Sequence, residues 1–292
     1  SPTFTTDGSF NSVSIGKGAN SVAENTVLGQ NALDASVSGG SLTAVGFNAL
    51  TACTSGGTNT AIGRKTLEFV TTGQSNTAVG ANALNKNTAS NNTAVGKNAL
   101  LLNTTGTGNV AVGREALNAN TTADSNTAVG DLALMANTTG ATNTAVGREA
   151  LQNNTTASDN TAVGYQALEE NTTGSTNVAV GALALDANTT GSGNTSLGKS
   201  SLSANTTASN NTAVGNDALK LNTTGTQNVA VGSLALRDNT TANDNTALGH
   251  AGLLNNETGA SNTAVGKGAL GNNTTASNNV ALGADTLALN TT

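Results

Sequence analysis

Few side chains in this 292-residue chain could do chemistry. Cys53 is the single cysteine and His250 the single histidine, so the sequence offers neither an intrachain disulfide nor a thiolate metal cluster. A Ser/His/Asp triad would have to be built on His250, and no nucleophile-elbow motif surrounds any serine. We therefore expect Cys53 to be a buried or incidental thiol and His250 to lie on an exposed corner.

The acidic residues and glycine-rich phrases do not form a recognisable site either. The acidic residues are scattered one or two per segment, as at Asp124, Asp159, Glu169, Glu170 and Asp244. They lack the glycine–aspartate nonapeptide that binds calcium in other solenoids. The phrase TTGTGN at 104–109 lacks the lysine and the strand-to-helix context of a phosphate loop. The sequence predicts no catalytic residue, no metal site, no cofactor and no enzyme activity.

Composition excludes further function classes. Charged residues make up 10% of the chain and the net charge is −6, which disfavours binding to nucleic acid or to anionic membranes. No apolar run reaches the roughly 18 residues of a transmembrane helix, and no signal-peptide pattern opens the chain. We expect no membrane insertion. Because residue 1 is Ser and the final ALNTT stops within a repeat, we expect a fragment or a processed chain.

A 17-residue repeat dominates the chain, and such a period has to be recognised before any fold is assigned. Successive copies align on the glycine that follows Val, Ile or Leu, and every interval from Gly96 to Gly283 is 17 residues. The consensus is N-T-T-[G/A]-x-x-N-[T/V]-A-V-G-x-x-A-L-x-x. Helix–turn–helix repeats need about 34 residues, and the Gly, Asn and Thr of every copy disfavour a helix. Disorder is the remaining alternative, but the fixed Val and Leu positions argue against it.

The T-A-V-G run of each copy predicts one short strand, because β-branched and small residues alternate there. In residues 160–164, Thr161 and Val163 share one side of the strand and Ala162 lies on the other. We expect the β-branched pair to contribute to the interior. A second short element is predicted at Ala167-Leu168. The two variable residues before it predict an exposed corner, and N-T-T-[G/A]-x-x predicts a longer turn.

Stacking such copies predicts an all-β parallel β-solenoid of about sixteen coils, about 4.8 Å apart. Each side chain then lies over its equivalent in the coil below, so buried Asn side chains can bond each other along the stack. Two ladders are predicted. One runs through Asn103, Asn120, Asn137, Asn154, Asn171 and Asn188, and the other through Asn126, Asn143, Asn160, Asn177 and Asn194.

Each coil is too thin to bury the apolar volume of an ordinary domain of this length. A single stack would therefore expose an Ala or Leu face to water. We expect identical chains to cover that face by side-by-side association about a common axis, where small residues let the backbones approach. A trimer is the preferred count, although the sequence itself requires only more than one chain.

The segments SVSIGKGANSVA at 12–23 and NTVLGQNAL at 25–33 resemble the head repeat of trimeric autotransporter adhesins, which reads S-V-A-I-G-x-x-A-x-A. The later NTAVGxxALxxNTTG copies are similar to a longer variant in bacteriophage tail-fibre and tail-spike proteins. The resemblance covers about residues 11–292, with 1–10 as an N-terminal cap or a connection to a preceding segment. It implies a left-handed β-roll, a homotrimer, an extracellular or virion location and attachment to a host surface.

Three functions follow as hypotheses. The first is a structural and attachment module, the shaft or head of a trimeric viral fibre, whose partner is a host-surface glycan or protein. The second is a bacterial surface adhesin or extracellular filament subunit. The third is an ice-binding solenoid, because Thr155-Thr156, Thr172-Thr173 and Thr189-Thr190 would stack in rows. In the attachment hypotheses, we expect the contact residues in the variable corners and turns.

Overall fold

The computed structural model describes residues 8–290. These residues form eighteen short strands and one 3-10 helix, Ala19–Ser21. The chain divides into two compact units, Ser1–Thr142 and Asn143–Thr292, here called the first unit and the second unit. Each unit is described by itself.

Nine strands lie in each unit. The first unit contains β1 (Gly8–Phe10), β2 (Val13–Gly16), β3 (Thr26–Gly29), β4 (Thr43–Val45), β5 (Thr60–Ile62), β6 (Thr77–Val79), β7 (Thr93–Val95), β8 (Val110–Val112) and β9 (Thr127–Val129). The second unit contains β10 (Thr144–Val146), β11 (Thr161–Val163), β12 (Val178–Val180), β13 (Thr195–Leu197), β14 (Thr212–Val214), β15 (Val229–Val231), β16 (Thr246–Leu248), β17 (Thr263–Val265) and β18 (Val280–Leu282).

Parallel pairing of equivalent residues builds both units. From β3 to β9, and again from β10 to β18, each strand pairs in parallel with the next one along the chain. Thr161 lies beside Val178, one repeat later. The shorter repeat of the first unit is accommodated between β6 and β7, where Thr77 lies beside Thr93. The prediction of an all-β parallel β-solenoid with coils of about 17 residues is confirmed.

The start of the chain departs from this pattern. β1 pairs with β2 and β2 pairs with β3, both antiparallel. The divergent copy at Gly16 therefore does not form a coil in parallel register, and the parallel ladder begins at β3. Pairing with β2 covers an edge of β3 that would otherwise be free to join another chain. Of the predicted cap at 1–10, residues 1–7 lie outside the described residues and Gly8–Phe10 form β1.

The interior of each coil consists of small, polar and leucine side chains. In one coil of the second unit, Asn160, Ala162, Ala167, Leu168 and Asn171 are all 0% exposed. The same positions are buried in coil after coil of both units. Leu168 supplies the single large apolar side chain of this coil, so the apolar core is a column of leucines flanked by alanines.

The prediction that Thr161 and Val163 face the interior is wrong. Both are only partly buried, whereas Ala162 between them is fully buried. The reason is the thinness of the coil. In the coil where the two inward alanine positions are both serine, Ser196 reaches across to donate a hydrogen bond to the backbone oxygen of Ser201 at 2.8 Å. From β4 onward the inward strand residue is Ala or Ser, and a β-branched residue holds this position only in β3, at the start of the parallel ladder, where Val27 is 2% exposed. A β-branched residue at this position in the later coils would have to displace closely packed neighbours.

The predicted second element at Ala167-Leu168 is a turn, not a strand. Leu168 adopts a left-handed φ of 53°, and Gln166 and Thr176 have φ values of 55° and 58°. Left-handed conformations cost roughly 1–2 kcal/mol for residues other than glycine. Hydrogen bonds to neighbouring coils offset that cost, since the Leu168 N–H donates to the Ala184 oxygen at 3.1 Å. In the longer turn, which was predicted without a position for its left-handed residue, the positive φ is at the second variable residue, Thr176.

The first predicted asparagine ladder is present in each unit. The Asn120 Nδ2 atom donates to Asn103 Oδ1 at 2.9 Å, and the Asn188 Nδ2 atom donates to Asn171 Oδ1 at 2.8 Å. Each amide also donates to a backbone oxygen three residues later, as Asn120 does to Ala123 at 3.1 Å. These bonds satisfy the buried amides along the stack, as predicted.

The second predicted ladder binds mainly backbone groups rather than neighbouring amides. The Asn177 N–H donates to Asn160 Oδ1 at 2.9 Å, and Asn160 Nδ2 donates to the Gly174 oxygen at 2.9 Å. The Gly174 oxygen also accepts the Nδ2 bond of Asn171, from the first ladder. One turn carbonyl thus joins both ladders, which explains the six-residue spacing of the two asparagines in the regular repeats. In two early copies Cys53 and Val70 hold the first of these positions.

The glycine that follows each strand has a conformation that other residues rarely adopt. Gly113 has a φ of 140°, and an added Cβ would collide with the carbonyl group of Gly130 in the next coil. Glycine alone combines this dihedral angle with such a close approach of two backbones. The glycine therefore sets both the end of the strand and the spacing of the coils.

Candidate functional site

Cys53 and His250 carry the most reactive side chains of the chain, and the structure places them in different surroundings. Cys53 is fully buried, and its thiol donates to the Gly56 oxygen at 3.4 Å. Burial raises the pKa of the Cys53 thiol, which keeps it protonated and a poor nucleophile. His250 is exposed at the predicted corner. Within residues 8–290, no group of three or more His, Cys, Asp or Glu side chains could hold a metal ion.

The predicted acidic residues stay apart, with one exception. Glu169 lies close to Glu149 and Glu170, and the pKa of Glu169 is raised by burial first and by these two carboxylates next. Asp186 is similar, since burial raises its pKa and its Oδ1 atom is buried without a hydrogen-bond partner among the described residues. These carboxylates lie on the residues after Leu168 and Leu185.

Other acidic side chains stabilise turns. Asp124 Oδ1 accepts hydrogen bonds from the backbone N–H of Thr107 at 2.6 Å and from its hydroxyl at 3.0 Å. Thr107 belongs to the TTGTGN phrase at 104–109, so this phrase is a turn that is bound to the next coil.

Two rows of threonine follow the turn, and they differ in exposure. The first threonine of each N-T-T is half-buried, and its hydroxyl is used within the stack, as Thr172 donates to the Thr189 oxygen at 3.0 Å. The second threonine is exposed in eight successive coils of the second unit: Thr156, Thr173, Thr190, Thr207, Thr224, Thr241, Thr258 and Thr275. The exposed row keeps one residue type although other exposed positions of the repeat vary.

The outward side of the strands is an apolar surface. The first and third residues of each strand triplet point away from the interior, and they are called here the outward strand face. On this face of the second unit, Val146 is 37% exposed, Val178 40%, Leu197 46% and Leu248 49%. Aligned valine and leucine side chains at this exposure form a continuous apolar strip, which marks an interaction surface.

The larger side chains recur on every third coil of this face in the second unit. Valine replaces threonine as the first residue of β12, β15 and β18. Leucine replaces valine as the third residue of β13 and β16, three coils apart, and also of the last strand, β18. These exchanges lie on the outward strand face, whereas the β-branched residues were predicted to lie in the interior. The three-coil spacing of the exchanges was visible in the sequence.

The two sides of the outward strand face differ in charge. The residue after each strand-ending glycine forms the basic edge, which in the second unit holds Arg148, Lys199 and Lys267 and no acidic residue. The two residues before each strand-preceding asparagine form the acidic edge, which there holds Asp159 and Asp244 and no Lys or Arg. In the first unit the basic edge holds Lys17, Arg64, Lys97 and Arg114, with one acidic residue, Asp131.

Some charges on these edges are paired within the chain. Arg114 forms a bidentate pair with Asp131, with bonds of 2.8 and 3.0 Å, and Arg148 pairs with Glu149 at 2.6 Å. Lys199 and Lys267 form no ion pair within the part of the chain that the structure describes. Both lysines are exposed. The basic edge of the second unit therefore keeps positive charge available for a partner.

Comparison with known proteins adds no family: no protein-family model, no curated protein and no solved structure matches this chain. Among residues 8–290, no helix is long and apolar enough to cross a membrane. The features that bear on function are thus the outward strand face with its two charged edges, the exposed threonine row and the variable corners.

Proposed function

We propose that this chain is a structural and attachment module of a trimeric fibre, the shaft or head of a viral tail fibre that contacts a host surface. The observation that carries the proposal is the outward strand face, an apolar strip along coils whose backbone and asparagine groups are otherwise bonded to their neighbours. A partner chain that covers this strip removes its apolar side chains from water. Regular stacking in each unit supplies rigidity, which a fibre needs.

Attachment to a host glycan or protein would use the variable corners, whose first residue is also the basic edge. At the rim of a chain–chain interface these side chains stay accessible to a host surface. Tyr165 occupies one corner and is 44% exposed, and the Arg148 guanidinium lies 5.7 Å from the centre of its ring. Phe47, 40% exposed, holds the same corner position in the first unit. Exposed aromatic rings and arginine are the residues that contribute most to binding surfaces. Weak contacts at such corners would gain avidity from three chains.

Light scattering of the purified protein tests the assembly. We expect a mass of three chains, about 85 kDa from three times 28.4 kDa. A second test measures binding of labelled protein to bacterial cells, with Tyr165→Ala compared with Glu170→Gln, a change at an exposed residue outside the corners and turns. The Tyr165 variant should bind less, while Glu170→Gln should bind as the parent chain does. A chain that stays monomeric at all concentrations would contradict the trimeric assembly. Binding that is unchanged by Tyr165→Ala and by substitutions at the other corners would contradict attachment through the corners.

An ice-binding role is the second candidate, because the exposed threonine row continues through eight coils of the second unit. Hydroxyl and methyl groups repeated at the strand spacing, about 4.8 Å, could match an ordered layer of water. Thermal hysteresis of the purified chain tests it. Activity that falls in Thr190→Lys and not in Lys199→Thr would support it, and no hysteresis at millimolar protein would remove it.

A further inference from the structure

We propose that identical chains associate through the outward strand face of the second unit and that the coils of all chains stack in the same direction along the common axis. In this arrangement the basic edge of one chain lies against the acidic edge of the next. This inference rests on the proposed function for the existence of an assembly. It adds which surface is buried and how the chains are oriented.

Each coil buries the Ala, Leu and Asn side chains of its inward positions, such as Ala162, Leu168 and Asn171, so its inward side needs no partner. Most of the large apolar side chains that remain exposed in this unit lie on the outward strand face, where Leu197 and Leu248 are 46% and 49% exposed. Leu221, 44% exposed, lies outside this face. A second copy of the chain carries the same three-coil spacing of these leucines. Chains aligned in register therefore place their leucines at common levels.

The charge of the two edges selects the orientation. Rotating a copy about an axis parallel to the stack reverses the strand direction across the interface, so its acidic edge meets the basic edge of the first copy. Rotating it about an axis perpendicular to the stack instead brings basic edge against basic edge. Like charges placed together at an interface oppose association, whereas complementary edges favour it and select the partner. The parallel arrangement is therefore the favoured one, and it allows closed rings of three chains.

Lys267 and Asp244 form one complementary pair between parallel chains. Lys267 follows β17 on the basic edge, and Asp244 precedes β16 on the acidic edge, one coil away. Both side chains are exposed. In parallel chains in register, the Lys267 ammonium group of one chain lies about one coil spacing, roughly 5 Å, in height from the Asp244 carboxylate of the next.

Sedimentation equilibrium tests the surface. The variant Leu197→Glu/Leu248→Glu should dissociate to monomers while its circular dichroism stays that of the parent chain, because both side chains already contact water. The matched control is Thr190→Glu/Thr241→Glu, which adds the same charges on the exposed threonine row of the same unit. The control should remain associated. If both variants dissociate alike, or neither does, the outward strand face is not the interface.

Charge reversal tests the orientation. Lys267→Glu should weaken association about tenfold at low salt, Asp244→Lys should do the same, and the double variant should recover most of the loss. Added salt should reduce all of these differences. In an antiparallel assembly Lys267→Glu would strengthen association instead, which would overturn the orientation while the trimeric fibre proposal stands. A monomeric parent chain would overturn both.

Discussion

The inward and outward sides of the strands carry the same alternating pattern but obey different constraints. Ala162 on the inward side is fully buried and recurs in nearly every coil, whereas Thr161 and Val163 on the outward side are partly exposed and alternate with other residues. The inward side must fit a gap only two small side chains wide. The residues of the outward side only have to suit water or the partner surface that covers them. Hydrophobicity alone therefore does not identify the interior of so thin a coil.

The largest effect should separate these two sides within one coil. Leu168→Asp places an unpaired carboxylate among fully buried side chains, and we expect a loss of more than about 4 kcal/mol, enough to unfold the surrounding coils. Val163→Asp should cost the isolated chain less than about 1 kcal/mol, because Val163 already contacts water. Urea denaturation at low protein concentration measures both. Equal losses of unfolding free energy would mean that Val163 is buried in the interior as Leu168 is.

Two glycines of the coil at β8 give the next contrast. Gly113→Ala should destabilise the fold by about 3 kcal/mol, because a Cβ at a φ of 140° collides with Gly130 of the next coil. Gly108→Asn should be nearly neutral. Its φ is 67°, the nearest atom to an added Cβ is Ser125 Oγ at 3.7 Å, and Asn91 holds the equivalent position at a φ of 62°. Thermal unfolding of the two variants provides the comparison.

Asn171 lies inside the stack and Asn153 lies on its surface, so the same substitution should have different effects at the two positions. Asn171→Ala removes two donated hydrogen bonds and leaves Asn188 Nδ2 without its 2.8 Å acceptor, so we expect a loss of about 2 kcal/mol. Asn153 donates to Glu170 on the surface, and Asn153→Ala should change stability by no more than about 0.5 kcal/mol. Hydrogen exchange should show faster opening near Leu168 in the first variant alone.

The smallest effect concerns pH. Burial raises the pKa of Asp186, so the folded chain holds this proton more tightly than the unfolded chain does. The resulting stability is fully present below the ordinary carboxyl pKa, about 4, and is lost as pH rises through the raised value. Asp186→Asn should therefore unfold at a higher urea concentration than the parent at neutral pH, and its stability should fall less between pH 4 and neutrality. If the stability of the variant depends on pH as steeply as that of the parent chain, carboxylates other than Asp186 cause the pH dependence.

Much of the fold could be predicted because a fixed repeat length requires equivalent residues to occupy equivalent positions in successive coils. The 17-residue period, the strand at T-A-V and the first asparagine ladder all follow from stacking equivalent residues at the strand spacing. The antiparallel start could not be predicted with the same certainty, since SVSIGKG carries the same strand pattern as the later copies. Its pairing depends on β1 and β2, which are joined by only Asn11 and Ser12 and so fold back as a hairpin.

The candidate surface was harder to derive than the fold. The basic edge could be read from Lys199 and Lys267, which occupy one position of the repeat, but its relation to an apolar strip required knowing which side of the strand faces outward. The left-handed turn at Leu168 had no cue at all, because leucine disfavours that conformation and only hydrogen bonds from adjoining coils make it stable.

The sequence by itself determined the coil length, the strand positions and the alignment of like residues, since periodic spacing and β-propensity act locally and repeat. Only the tertiary structure decided which side of each strand is buried. That choice depends on the distance across the coil, which is set by the turn at leucine and by the asparagine bonds between coils, and no single repeat contains that distance.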